Sequence, residues 1–157
     1  MNDEQLKSEI KILRANIQCY YDQSNHLRGL ENKLEVIEAR LTKTAGSVII
    51  ISSDAHSSNE SNRMQLMMDY AEVKTDIETT RAVVRSVEKF FRTLGDQDLK
   101  LIRDYAKGKL TIVELAEKYG YTKQGSLFRI KSLMRRFILN HAKDYTRNTE
   151  NRDNMIV

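Results

Sequence analysis

Residues 95–139 read GDQDLKLIRDYAKGKLTIVELAEKYGYTKQGSLFRIKSLMRRFIL. Within this stretch Thr111 is an N-cap, and Glu114 three residues later is its capping-box partner. Ile112, Leu115, Ala116 and Tyr119 then share one helical face. Gly120 supplies the positive φ that closes this helix in a tight turn. Thr122 caps the next helix. Its apolar positions are Leu127, Ile130, Leu133, Met134, Phe137 and Ile138, and its other face carries Lys123, Gln124, Ser126, Arg129, Ser132 and Arg136. Ala116 is small, so a second helix can cross closely there, and Gly120 stands four residues on, where the chain must reverse. Upstream, Gly95 ends one helix and Asp96 caps another, which turns Leu99, Ile102 and Tyr105 inward and ends at Gly108. The spacing predicts three short helices, the last two forming a helix-turn-helix.

A helical hairpin with a solvated basic face is the bland reading of such a pattern. Here the small residue, the glycine turn, the two caps and a cationic second helix occur together, which favours a module that binds double-stranded DNA. Lys and Arg suit phosphates, while Gln, Ser and Arg suit base edges. If Leu127, Ile130, Met134 and Phe137 face the other helices, the outward face is centred on Arg129 and Ser132, with Ser126 and Arg136 in line. Thr122, Lys123 and Gln124 lie at the first turn, the part of a recognition helix that reaches deepest. Lys131 and Arg135 flank the face as phosphate contacts.

The residues LTIVELAEKYGYTKQ, followed by IKSLMRRF, resemble region 4 of bacterial sigma factors. The wider layout is similar to small phage-encoded transcription regulators of the ArpU and RinA type, which pair a helical N-terminal region with a sigma-like helix-turn-helix. The resemblance implies a DNA-binding regulator of phage or prophage late genes, with RNA polymerase as a further partner. One departure stands out. Counting from Ala116, the first inward positions of the second helix fall on Ser126 and Arg129, whereas the chain has Leu127 and Ile130, one residue later. Gly125 is placed to accommodate an extra residue.

The chain has 157 residues with no Pro and no Trp, so long uninterrupted helices are permitted. Its formal net charge is +4, unevenly spread: residues 122–147 hold seven Lys and Arg against one acid, a local +6 that leaves −2 for the remainder. Positive charge concentrated on one helix points to a polyanion partner. Cys19 is the only cysteine, which rules out an internal disulfide and suits a reducing cytoplasm. The start, MNDEQLKSEI, lacks the apolar core of a signal peptide, and the longest apolar run, VIII at 48–51, is far too short to span a bilayer. His26, His56 and His141 are scattered and form no metal-ligand spacing with Cys19.

Residues 3–43 read as helix. Leu6, Ile10, Leu13, Ile17 and Tyr20 alternate steps of four and three, as do Leu30, Leu34, Ile37 and Leu41, but the two runs are out of phase. A break or bend is expected at 22–26 within DQSNHLRG, whose Asp, Ser, Asn and Gly weaken helix. Residues 44–62 read as a connection, with VIII as a short strand or apolar plug and SSDAHSSNESN as turn-forming. Ser52 or Ser53, Asp54 and His56 lie close together there, but without the strand-turn-helix elbow that would hold a nucleophile. From 63 to 94 the seam Leu66, Tyr70, Val73, Ile77, Thr80, Val84, Val87, Phe91 and Leu94 steps four and three without error. Its partner is either the helix bearing Leu27 to Leu41 or a second copy of the chain, the dimer being favoured because two modules would then read two half-sites. After residue 140 periodicity is lost, and a frayed tail is expected at 141–157.

These readings combine into an all-α protein: a helical coiled-coil or oligomerisation region at 1–94, a helix-turn-helix domain at 95–140 and a tail. The expected function is a sequence-specific, cytoplasmic DNA-binding transcription regulator without catalytic residues, metal or cofactor. The alternatives are a small terminase-like DNA-packaging component and an interaction protein that binds RNA polymerase alone.

Overall fold

A computed structural model describes the backbone of residues 1–46 and 53–153, and the side chains of 1–43 and 60–142. All regular structure there is helical: α1 (Asp3–Gly46), α2 (Ser53–Arg92), α3 (Asp96–Lys107), α4 (Ile112–Tyr119) and α5 (Lys123–Asp153). The chain is therefore all-α, as its periodicities predict. The VIII run at 48–51 lies outside the described residues.

Three boundaries differ from expectation. α1 runs unbroken through 22–26. Asp, Ser and Asn each cost only a few tenths of a kcal/mol in a helix and Gly29 about 1 kcal/mol, whereas stopping and restarting would incur a second nucleation. α2 begins at Ser53, so 53–62 is helical backbone rather than connection. α5 continues to Asp153, past the point where a frayed tail was expected, in a stretch containing neither Gly nor Pro.

The chain divides into two compact units, one of residues Asp22–Val84 and the other of Met1–Tyr21 with Arg85–Val157. This is not a division at 94/95: the unit that holds the helix-turn-helix also takes in the first 21 residues. The out-of-phase seams of α1 explain it, since each run of apolar residues serves a different core.

In the 22–84 unit α1 and α2 pair as an antiparallel hairpin. Leu30 and Ile37 bury against Val73 and Ile77, flanked by Leu27, Leu34, Leu41, Leu66 and Tyr70. Thr80 and Val84 are buried as well. The seam from Leu66 to Ile77 is thus covered by the hairpin, and Val87 and Phe91 bury in the core of the other unit, so no second copy is needed to bury them. Arg81 donates to Glu31 across the hairpin at 3.3 Å, but both are well exposed, and such pairs add little.

The other unit packs Leu6, Ile10, Leu13 and Ile17 of α1 with Val87, Phe90 and Phe91 of α2. Leu101, Ile102 and Ala106 of α3, Leu115 of α4, and Ile130, Leu133, Met134 and Ile138 of α5 complete this core. Tyr20 sets its ring edge-on to Phe91 at 5.0 Å, and Phe90 does the same with Phe137 at 5.3 Å. Leu94 and Tyr105 pack on the periphery. Phe90 stands outside the heptad seam, yet it is completely buried.

Candidate nucleic-acid interface

The helix-turn-helix is built as the local sequence dictates. The Thr111 hydroxyl accepts from the Glu114 backbone N–H at 3.2 Å, and the Glu114 carboxylate accepts from the Thr111 N–H at 2.8 Å. This is a complete capping box on α4. At the other end Gly120 has φ 71°, its N–H donates to Glu117 O at 3.3 Å, and the Tyr121 N–H donates to Ala116 O at 2.8 Å. That pair of bonds is a Schellman closure, which a residue with a Cβ would strain. α3 also ends at a left-handed glycine, Gly108, φ 66°, whose N–H donates to Tyr105 O at 3.2 Å. Its start differs from expectation: Gly95 is the N-cap and makes no side-chain bond, and Asp96 lies inside the first turn. Asp96 and Asp98 there still favour the helix through its dipole.

α3 and α4 are clamped by polar contacts. The Asp104 carboxylate accepts from Lys118 Nζ at 2.7 Å and from the Tyr119 hydroxyl at 2.5 Å. The bonds from Lys118 and Tyr119 hold the Asp104 carboxyl below its ordinary value near 3.8. Desolvation, with the Asp104 bond added, pushes the Tyr119 phenol up to about 12. The signs define the working range. The Asp104 contribution is complete above its unfolded value and is lost as pH falls through the depressed one. The Tyr119 contribution is present below its unfolded value and is lost as pH rises through about 12. Neutral pH keeps both. Beside this clamp Gln97, Lys100, Arg103 and Lys107 line an open depression of about 480 Å³ together with Asp104, Lys118 and Tyr119.

The start of α5 decides which face looks outward. Thr122 caps it, its hydroxyl accepting from the Gly125 N–H at 3.0 Å. A Cβ on Gly125 would stand 2.9 Å from that hydroxyl oxygen, so glycine keeps the cap unobstructed. No extra residue is accommodated: the helix is regular from Lys123. Its inward positions are Ser126, Ile130, Leu133, Met134 and Ile138, all buried. This contradicts the face assignment made from apolar periodicity. Ser126 is 0 % exposed and cannot touch DNA; its hydroxyl donates to Lys123 O at 2.9 Å, which lets a serine occupy a core position without an unpaired group. Leu127, expected inside, is 42 % exposed.

Arg129 is corrected too. Its Nε donates to Asp98 Oδ1 at 3.1 Å and its terminal nitrogen to Asp98 Oδ2 at 2.8 Å, a two-pronged bond that ties α5 to α3. The guanidinium expected to read guanine is spent inside the protein. Replacing Arg129 by Ala is therefore expected to destabilise this unit by about 1 kcal/mol, discounted for its partial exposure, without relaxing base preference. Urea denaturation, paired with titration of DNA variants, checks both halves.

The expected contacts thus fall into three groups. Thr122 is exposed but serves the cap, and Ser132 is half-buried. Ser126 and Arg129 leave the face. Lys123, Gln124, Lys131, Arg135 and Arg136 remain exposed. With 3.6 residues per turn, Gln124, Phe128, Lys131 and Arg135 line up along the outward ridge, turned by about 100° from the face centred on Arg129. Lys131 and Arg135 have no ion-pair or hydrogen-bond partner among the described residues. Phe128, 75 % exposed, was missed. The spacing counted from Ala116 already placed Ser126 and Arg129 on the inner side, and that signal would have found it.

Among the described residues no helix is long and apolar enough to cross a membrane. No family model, no curated protein and no solved structure matches this chain.

Proposed function

We propose that this chain is a sequence-specific double-stranded DNA-binding transcription regulator that reads the major groove with the first turns of α5. The observation that carries this reading is the outward ridge of α5. It combines a side chain suited to adenine edges, Gln124, with the exposed cations Lys131 and Arg135, and Lys123 and Arg136 are exposed to either side of it, on a helix held by a capped turn. The resemblance of this segment to sigma region 4 makes transcription the process served, with phage or prophage late genes as the setting and RNA polymerase as a second partner. The heptad seam is buried within one chain, so the reading needs no dimer; sedimentation of the DNA complex distinguishes one bound copy from two.

Selection of random duplex DNA on the purified protein tests the proposal. It is expected to enrich one short motif. Affinity for that motif should fall with salt at a log–log slope near −4, as roughly four released counterions imply. Failure to bind any duplex at about 50 mM salt would overturn the reading in favour of a module that contacts protein alone. Uniform binding of all sequences with the same salt slope would leave a non-specific DNA binder of the kind a packaging component requires.

A further inference from the structure

Phe128 sits in the middle of the ridge, with Gln124 one turn before it and Lys131 and Arg135 one and two turns after. It is 75 % exposed, the most exposed of the large apolar side chains described. A bare phenyl ring costs solubility, and nothing in the core uses it. Along the ridge its neighbours Lys131 and Arg135 are cationic, and of the adjoining side chains only Leu127 adds apolar surface, at 42 % exposure, so the natural complement of this line is a polyanion. In the major groove one base feature is apolar, the C5 methyl of thymine, and a phenyl ring is among the side chains that contact it.

We propose that Phe128 is a specificity-determining residue that packs on a thymine C5 methyl, so that the recognised site contains a thymine opposite the second turn of α5. This rests on the reading of α5 as a DNA-recognition helix. Gln124 then reads its base by hydrogen bonds, Phe128 reads the neighbouring methyl by desolvation, and Lys131 and Arg135 hold the register on the phosphates. The discrimination is between thymine and uracil, which share every hydrogen-bonding group and differ by one methyl.

The test uses the full chain and the duplex motif it selects, resynthesised with uracil in place of thymine one position at a time. At one position uracil should weaken binding roughly fourfold, the worth of one buried methyl group. The Phe128→Ala protein should bind the thymine duplex more weakly than wild type and show no further loss with uracil at that position. Phe128→Leu, which keeps an apolar tip, should retain part of the preference. Three results overturn the inference while leaving sequence-specific binding intact: no uracil-sensitive position, a selected motif lacking thymine, or the same uracil effect in wild type and Phe128→Ala. If Phe128→Ala instead leaves DNA binding unchanged but abolishes self-association or binding to RNA polymerase, the ring belongs to a protein contact. If no duplex is bound at all, the DNA-binding reading itself has failed. Thermal melting of Phe128→Ala at the wild-type temperature confirms that the variant is folded.

Discussion

Phe90→Ala should cost about 3–5 kcal/mol of unfolding free energy, the range for deleting a fully buried aromatic side chain. Phe90 is 0 % exposed, lies 5.3 Å from the Phe137 ring in an edge-on contact, and leans on Phe91 at 6.4 Å. Truncation removes the buried area, leaves a cavity in the core, and forfeits the aromatic pair, itself worth about 0.5–1.5 kcal/mol. Domains have only about 5–15 kcal/mol to lose, so this change removes a large fraction of the unit's stability. Phe90→Leu keeps most of the volume and should cost about 1–2 kcal/mol. Chemical denaturation followed by circular dichroism at 222 nm measures both. A loss under about 1 kcal/mol for the alanine variant would mean that the core has another centre.

Reversing the two outward cations, Lys131→Glu with Arg135→Glu, should weaken DNA binding by about 4 kcal/mol, roughly a thousandfold, at low salt. Each change removes an attraction to phosphate and installs a repulsion, and neither side chain has an internal partner among the described residues to lose. For that reason stability should hold to within about 0.5 kcal/mol. The salt slope should flatten by about two. Lys33→Glu, exposed on the hairpin, changes the net charge without touching the ridge and should shift affinity less than threefold, the scale of a screened long-range effect. Fluorescence anisotropy on the selected duplex separates the two variants. Equal losses in both would mean that net charge, and not the α5 ridge, governs binding.

The helices and their closures were legible because each rests on a local rule. Thr111 with Glu114, Gly108, Gly120 and Thr122 are bonded to their own neighbours within a turn, so the sequence window contains both partners. The error-free seam of α2 was legible for the same reason. Three features were not. Phe90 is buried through contacts with Phe137, far along the chain, which no heptad count contains. The continuity of α1 depends on cooperativity, which outweighs the weak residues at 22–26. The outward face of α5 is not legible from apolar character alone. Ser126 is inside because its hydroxyl bonds Lys123 O, Arg129 is held by Asp98, and Leu127 and Phe128 are outside. The rule that buried residues are apolar runs one way only, and here polar residues with satisfied bonds took core positions.

The unit that carries the helix-turn-helix closes the first 21 residues onto the last part of the chain, and residues 22–84 lie between the two segments in sequence. During synthesis the two segments are not made together. At about 5–20 residues per second, Leu6, Ile10, Leu13 and Ile17 emerge on the order of ten seconds before Ile138, their last partner in the core. The hairpin, whose contacts join strictly neighbouring segments, has both halves in hand first and folds early. Its closure shortens the loop that the final core must close. The hairpin is thus a folding clamp, and the core that carries the helix-turn-helix is the last part of this protein to form.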